Sequence, residues 1–177
     1  MKDFVPATEI LGFFEEGFEH TAWRLETRRD YPSDQATDEY KNFLRGIQPP
    51  GDTTDPWFLN VREQAARGKR IERVRLVDAP ATDNQRYLLA TTGDNIECGE
   101  DIRYMFRARA EQLGLPTYDF WLFDSRILAR FNWNDASRRL ELTTDPGEVV
   151  HACQARDAAW HHAIRYEEFG AGVTSPV

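Results

Sequence analysis

Cysteine is scarce in this 177-residue chain, which contains only Cys98 and Cys153. A chain with 41% hydrophobic residues can build a core without disulfides, so we expect two free thiols. The first residues lack the apolar stretch of a secretory signal, and no segment approaches the about 18 apolar residues that a membrane-spanning helix needs. These absences argue against a secreted disulfide scaffold and a membrane protein, and they predict a cytoplasmic location.

Positive charge is also in short supply. The chain has 22 Lys and Arg against 30 Asp and Glu, which gives a net charge of −8. Duplex DNA and anionic membranes both attract proteins through net positive surface. We therefore expect no binding to duplex DNA by this chain alone and no membrane partner, although a local basic patch remains compatible with this balance.

The familiar catalytic and metal motifs are missing. There is no Gly-x-Ser-x-Gly elbow, no phosphate loop ending in Gly-Lys-Ser/Thr and no Gly-x-Gly-x-x-Gly fingerprint. Cys98 has acidic neighbours, which disfavour a reactive thiolate. His151 with Cys153, and His161 with His162, lack the three- or four-residue spacing of a helical metal site. We expect no cofactor and no bound metal.

The length and composition fit one folded domain. Aromatic residues make up 12% of the chain and supply core material. We assign residues 1–177 to a single globular domain with an ordered core over about residues 8–168. Residues 170–177 contain two Gly, a Ser and a Pro, and this composition predicts a frayed tail.

Alternation of side chains predicts several strands and a C-terminal three-stranded antiparallel meander. In the strand predicted at Arg70–Asp78, Val74 and Leu76 share one face, while Arg73 and Arg75 share the other. The other predicted strands are Phe18–Arg28 and Ile102–Phe106, and the meander comprises Asp119–Phe123, Ile127–Trp133 and Arg138–Thr143.

Capping signals and three- to four-residue spacing predict helices between these strands. Asp83–Thr92 fits either a helix or a strand and is left open. The fold class that follows is α+β, with a mostly antiparallel sheet, helices packed on it and a long C-terminal helix. The predicted helices are Thr8–Gly17 with Thr8 as its N-cap, Asp38–Arg45, a helix from Pro56 to a stop at Gly68, a helical turn at Ala108–Gly114, and Asp145–Tyr166.

Five short segments together resemble one protein family. They are Phe18–Thr27, Arg73–Val77, Gly99–Arg103, Asp119–Asp124 and Arg156–Trp160. The chain resembles, from about Phe13 to Tyr166, an actinobacterial family of unknown function whose members are often encoded beside helix-turn-helix regulators. The resemblance implies a cytoplasmic actinobacterial protein in a regulatory or conflict-related gene pair, and it supplies no catalytic residue.

Positive charge is concentrated in residues 62–75, which carry six basic and two acidic side chains, a local charge of +4. Arg73 and Arg75 on one strand face predict an anion site, since guanidinium groups bind phosphate and carboxylate through paired hydrogen bonds. Arg103 and Arg24, from other strands, are the candidate helpers. The alternative is that these arginines pair with internal carboxylates on a solvated sheet face. The candidate carboxylates are Glu26, Glu72, Glu100 and Asp101.

Two further candidates carry weaker patterns. Glu100 and Asp101 beside Arg103 could hold a divalent ion or exchange protons, but neighbours on a strand point to opposite faces, so one would have to lie in the preceding turn. Trp121 and Trp133 could stack nucleobases beside the arginines, although burial in the core is the simpler expectation.

Two functions follow from these observations. The first is a regulatory or interaction module that binds an anionic ligand or a helix-turn-helix regulator. The alternative is a small intracellular enzyme, a hydrolase or nuclease-like toxin, that acts on a phosphate or carboxylate substrate. An enzyme requires Arg73, Arg75, Arg103 and a carboxylate to converge in one pocket.

Overall fold

All eight strands of the computed structural model, which describes residues 3–173, belong to one sheet. The strands are β1 (Asp3–Val5), β2 (Thr21–Glu26), β3 (Arg70–Val77), β4 (Glu100–Phe106), β5 (Phe120–Phe123), β6 (Ile127–Phe131), β7 (Leu140–Thr143) and β8 (Ile164–Arg165). Their order across the sheet is β1-β7-β6-β5-β2-β3-β4-β8.

Five of the seven strand pairings are antiparallel, which confirms the mostly antiparallel α+β fold. The predicted meander is present as β5, β6 and β7. At the centre of the sheet, however, β2, β3 and β4 run parallel. Parallel strands require crossover helices, and the periodicity of a single strand carries no information about its direction.

Eight α-helices connect and cover the strands within residues 3–173. They are α1 (Ile10–Glu16), α2 (Pro32–Gln35), α3 (Asp38–Leu44), α4 (Pro56–Ala66), α5 (Asp83–Cys98), α6 (Arg107–Gln112), α7 (Pro146–His162) and α8 (Tyr166–Val173). The caps are encoded locally: Asp55 and Asp145 accept hydrogen bonds from the first turns of α4 and α7, and Thr82 forms a capping box with Gln85 at α5.

The structure corrects three predicted boundaries. The segment that begins at Asp83, which fits either a helix or a strand in the sequence, is helical and continues to Cys98. The turn before β4 is therefore reduced to Gly99. Thr8 lies in a short 3₁₀ turn and does not cap α1. The C-terminal helix ends at His162, and the chain then forms β8 and α8 where a helix end and a tail were predicted; residues 174–177 of that tail lie outside the described residues.

Two apolar layers cover the sheet. On one face, Ala152 and Ala159 of α7 pack with Trp23, Leu25 and other side chains of the central strands. On the other face, helices α1, α4 and α5 contribute Phe14, Val61 and Cys98 to a second layer. The central parallel strands are therefore buried on both faces, as is usual for parallel sheet.

Gly99 links α5 to β4 and places Glu100 at the start of its strand. Its φ is +114°, and a β-carbon there would lie 2.9 Å from the Ala65 β-carbon. We expect Gly99→Ala to lower the free energy of unfolding by about 3 kcal/mol, because backbone strain and a steric clash add. Gly68→Ala is the matched control: Gly68 also has a positive φ, +80°, but a β-carbon there would have no other atom within 4 Å. Urea unfolding should show a loss of only about 1 kcal/mol for the control. Equal losses in the two variants would contradict a steric clash with Ala65 as the cause of the larger effect at Gly99.

Candidate functional site

Three of the predicted arginines, Arg24, Arg73 and Arg75, lie on one face of the central strands. Arg24 of β2 is the register partner of Arg73 of β3, and Glu26 is the partner of Arg75. Arg73, Arg75 and Glu26 are buried, and the Arg24 side chain is 12% exposed. The sheet therefore places these charges together, beneath the helices that cover this face.

Carboxylates of the same protein pair with each of these guanidinium groups. Glu26 accepts hydrogen bonds from Arg73 Nη1 at 2.9 Å and Arg75 Nε at 2.6 Å, and lies 3.2 Å from Arg24 Nη1. Glu100 accepts from Arg73 Nε at 2.5 Å and Nη2 at 3.1 Å. Asp119 lies 3.4 Å from Arg24 Nη2. Three positive and three negative groups thus form a buried ion network with no excess charge.

The electrostatics of Glu26 follow from this arrangement. Burial by itself would raise the pKa of Glu26, but the charges of Arg75, Arg24 and Arg73 outweigh burial and hold that pKa well below its usual range. Neutral donors complete the network, since Trp57 Nε1 and Asn95 Nδ2 donate to Glu100 at 2.7 and 2.9 Å. The internal pairing considered in the sequence analysis is present, but it is buried and not on a solvated face.

Asp101 and Arg103 do not belong to this network. Because side chains alternate along β4, Glu100 faces the buried arginines, whereas Asp101 and Arg103 face the opposite side of the sheet. Arg103 Nη2 lies 3.5 Å from Asp101 Oδ2. The prediction that Arg103 assists Arg73 and Arg75 is therefore wrong, because Arg103 lies on the opposite face of the sheet. For the same reason Glu100 and Asp101 do not share one site.

A cleft of about 750 Å³ lies on the face that carries Arg103. Its walls come from the amino ends of β2 and β3, from the turn between β5 and β6, and from the C-terminal half of α7. We call it the α7 cleft. Its basic side chains are Arg70, Arg103, Arg156, His20 and His161, and its acidic side chains are Glu72, Asp124 and Asp157.

Asp124 organises one wall of the α7 cleft. Its carboxylate accepts hydrogen bonds from the backbone N–H groups of Glu19, His20 and Thr21 at 2.7 to 2.8 Å. Burial would raise the pKa of Asp124, but these three donors outweigh it and lower the pKa. Asp124 and Ser125 both have positive φ, 50° and 54°, in the tight β5–β6 turn. The Asp124 side chain thereby fixes the segment that carries His20.

The arginines of the α7 cleft are held by neutral groups and by ion pairs. Arg156 Nη1 donates to Ser125 Oγ at 2.7 Å, while its Nε and Nη2 each lie 2.9 Å from Asp157 Oδ1. The Arg103 guanidinium lies 3.7 Å from the centre of the Trp160 ring, and its Nη1 donates to the Trp160 carbonyl. Arg70 is 3.8 Å from Glu72, whose pKa is raised by burial.

Two buried N–H donors in the residues that line the α7 cleft have no hydrogen-bond partner among the described residues. They are Trp23 Nε1 and Arg103 Nε. Buried donors are almost always paired in folded proteins, so each unpaired donor calls for an explanation. Trp23 belongs to the apolar core and is 1% exposed, whereas the Arg103 side chain is 16% exposed and borders the cleft.

Of the residues that line the α7 cleft, Arg103 was predicted from the sequence as a helper for anion binding and Glu72 as a carboxylate that pairs with arginines, whereas the others were not predicted as site residues. The signal lay in the segments that carry the family resemblance, because four of those five segments contribute residues to it. They supply His20 and Trp23, Arg103, Asp124, and Arg156 with Trp160. Only the fold, however, brings these distant segments together.

Other candidate chemistry is limited. Cys98 and Cys153 are free thiols, as predicted, and burial raises the pKa of Cys98. Within residues 3–173 no three His, Cys, Asp or Glu side chains are grouped so that they could hold a metal ion. No helix in the same range is long and apolar enough to cross a membrane.

Comparison with known proteins identifies a family and a fold. The family model of a domain of unknown function, DUF6879, matches residues 8–171, so the chain belongs to that family. The predicted membership in a family of unknown function is confirmed in this respect, whereas actinobacterial origin and the link to regulators stay predictions. No curated protein matches the chain.

Two solved structures share the fold. NucT from Helicobacter pylori is 11% identical with a TM-score of 0.51, over 93% of this chain and 97% of that chain. Nuc from Salmonella typhimurium, a phospholipase D family member, is 8% identical with a TM-score of 0.51, over 94% of this chain and 96% of that chain. At these identities the likeness concerns the fold alone.

Proposed function

We propose that this DUF6879 protein is a regulatory module that binds a small anion, a phosphate- or carboxylate-bearing compound, in the α7 cleft. The observation that carries the proposal is that the Arg103 guanidinium, which lacks a close carboxylate partner, lines this cleft. Arg70 and Arg156 add two guanidinium groups from other elements to the same cleft. Guanidinium groups bind carboxylate and phosphate oxygens through charge-assisted hydrogen bonds.

The ion network is a poorer anion site than the α7 cleft. Arg73 and Arg75 are buried and already contact Glu26 and Glu100, so an added anion would meet two carboxylates. In the cleft, by contrast, the carboxylate that pairs with Arg103 among the described residues is Asp101, at 3.5 Å, and the Arg70 side chain is 70% exposed. An incoming anion would therefore gain contacts there without displacing a buried ion pair.

A thermal-shift panel tests this proposal. The probes are inorganic phosphate, a phosphate monoester, a phosphodiester and a dicarboxylate, and we expect at least one to raise the melting temperature by linkage. Arg103→Gln and Arg156→Gln should each remove that shift. Arg86→Gln, an exposed arginine on α5 outside the cleft, should keep it. If none of these compounds raises the melting temperature of the wild type, the proposal is overturned.

A second candidate function is hydrolysis of a phosphate ester in the same cleft. It is favoured by two imidazoles, His20 and His161, which line the cleft together with the arginines. Histidine is the commonest general acid and base in enzymes. The fold shared with a phospholipase D family member agrees with such a reaction. Turnover of a chromogenic phosphodiester that His20→Ala or His161→Ala abolishes would support the enzyme, and absence of turnover would leave the binding module.

The expected partnership with a helix-turn-helix regulator is retained within this proposal. A regulatory module would transmit the bound or empty state of the α7 cleft to such a partner. Co-purification of the two proteins from neighbouring genes, with and without the active anion of the panel, tests this link. Complex formation that is indifferent to the anion would separate the partnership from the cleft.

A further inference from the structure

A second cationic surface lies on the other side of the sheet, around Trp133. The Trp133 ring, which follows β6, is half-buried and stacks on Phe131 with ring centres 4.7 Å apart and planes 7° apart. The guanidinium carbons of Arg28 and Arg139 lie 5.2 and 5.4 Å from the centre of the Trp133 ring. We call Arg28, Trp133 and Arg139 the Trp133 surface.

The arginines of this surface lack carboxylate partners. Arg28 Nε donates to the Asp30 carbonyl, and Arg139 Nη1 donates to the Asn132 carbonyl at 2.9 Å. Among the described residues neither of these two guanidinium groups has a carboxylate oxygen within 4 Å, in contrast to Arg24, Arg73 and Arg75. The surface thus carries two guanidinium groups that are outside the ion pairs of the described residues, on a protein of net charge −8.

The Trp133 surface continues into a hollow at the carboxyl end of β2. Arg28 also lines this hollow, together with Arg29, Arg107, Asp30 and Glu111. Arg29 and Arg107 both pair with Asp78, so Arg28 is the arginine of this hollow that is outside the ion pairs of the described residues. In sheets with parallel strands, ligands commonly bind outside the carboxyl ends of those strands. Arg28 therefore connects the stacked rings of the Trp133 surface with this hollow, on a different part of the molecule from the α7 cleft.

We propose that the Trp133 surface binds single-stranded nucleic acid. Proteins that bind single strands combine cationic side chains, which follow the phosphates, with aromatic rings and guanidinium planes on which bases stack. An acidic peptide would use the charges but not the stacked rings. Duplex DNA would hide its bases and present a long phosphate array to an acidic protein. The occupant that uses both features is a single strand with accessible bases.

Fluorescence anisotropy with a labelled thymidine oligonucleotide tests this inference. We expect binding that weakens with salt, with a slope of log K against log salt near −2 if about three phosphates are neutralised. An abasic oligonucleotide of equal length and a duplex should each bind at least tenfold more weakly. Equal binding of the abasic strand, of the duplex or of polyglutamate would overturn the proposal in favour of simple polyanion attraction or an acidic protein partner.

Variants locate the site. Trp133→Ala should weaken oligonucleotide binding at least tenfold, and the double variant Arg28→Gln/Arg139→Gln should do the same if Trp133→Ala fails to fold. The control is Arg45→Gln/Arg86→Gln, which removes two exposed arginines from helical surfaces elsewhere and should change binding less than twofold. Arg103→Gln, which should abolish anion binding in the α7 cleft, should also leave oligonucleotide binding unchanged. The two proposals can therefore fail independently. Full binding by the Arg28/Arg139 variant would reject the assignment.

Discussion

Arg73→Met should lower the free energy of unfolding by about 3–5 kcal/mol, one of the largest effects we expect from a single substitution in this chain. Methionine retains much of the volume of arginine but removes the charge that contacts both Glu26 and Glu100. Two buried carboxylates would then share fewer cations, and burying an uncompensated charge is far more costly than losing an exposed ion pair. Chemical denaturation followed by tryptophan fluorescence provides the measurement.

Arg70→Met on the same strand is the matched control. The Arg70 side chain is 70% exposed and its nearest carboxylate oxygen is 3.8 Å away, so we expect a change below about 0.5 kcal/mol. A comparable loss in both variants would mean that Arg73 acts through strand propensity or packing, and the ion network would not be the cause.

The pH dependence of Arg73→Met separates charge from packing. In the wild type the pKa of Glu26 is lowered on folding, so its contribution is present above the usual Glu range and is lost as the pH falls below it. Without Arg73 the pKa of Glu26 should be lowered less, and protonation should relieve the buried charge at a higher pH. The difference in stability between the variant and the wild type should therefore shrink as the pH falls through and below the usual Glu range. A constant difference would indicate lost packing alone.

The charged row on β3 illustrates what could be read from the sequence. Alternation in Arg70–Val77 predicts the strand and correctly places Arg73 and Arg75 on one face. The same alternation suggests a solvated face, because charged side chains usually point to water. Helices α4 and α5 cover that face instead, and Trp57 and Asn95 from those helices donate to Glu100. Which helix covers which strand depends on the parallel crossovers, and local periodicity does not encode them.

The α7 cleft was less accessible to sequence analysis for a related reason. His20, Arg103 and Arg156 come from segments far apart in the chain, and none has the short spacing that marks a helical or loop motif. Strand order brings β2 and β3 beside β4, and the end of α7 then closes one side of the cleft.

The burial of single side chains was predicted only in part, as Trp121 and Trp133 show. Trp121 is buried as expected, whereas Trp133, just beyond the end of β6, remains at the surface.

Asp119→Ala should be comparably damaging, with an expected loss of about 3–5 kcal/mol. Asp119 lies just before β5 and its side chain is fully buried. It accepts hydrogen bonds from Thr27 N at 2.7 Å, Thr27 Oγ1 at 2.9 Å and Tyr31 Oη at 2.8 Å. Removing the carboxylate leaves Thr27 N and Tyr31 Oη without this acceptor, and leaves Arg24 with Glu26 as its remaining ion-pair partner among the described residues.

Asp135→Ala gives the control for Asp119→Ala and isolates burial as the cause. Asp135 accepts hydrogen bonds from Ser137 N and Oγ at 2.9 and 2.6 Å, but it lies in an exposed turn. Water can replace its carboxylate there, so the loss of stability in Asp135→Ala should stay below about 1 kcal/mol.

A double-mutant cycle tests the hydrogen bond between Tyr31 and Asp119. Tyr31→Phe should cost about 1 kcal/mol alone and much less in the Asp119→Ala background, because the hydrogen bond between the two residues is then already absent. Equilibrium unfolding of the four proteins of this double-mutant cycle measures that coupling. Additive losses would show that Tyr31 and Asp119 stabilise the fold independently, which would contradict the role assigned to Asp119 as the acceptor that joins β2, Tyr31 and Arg24.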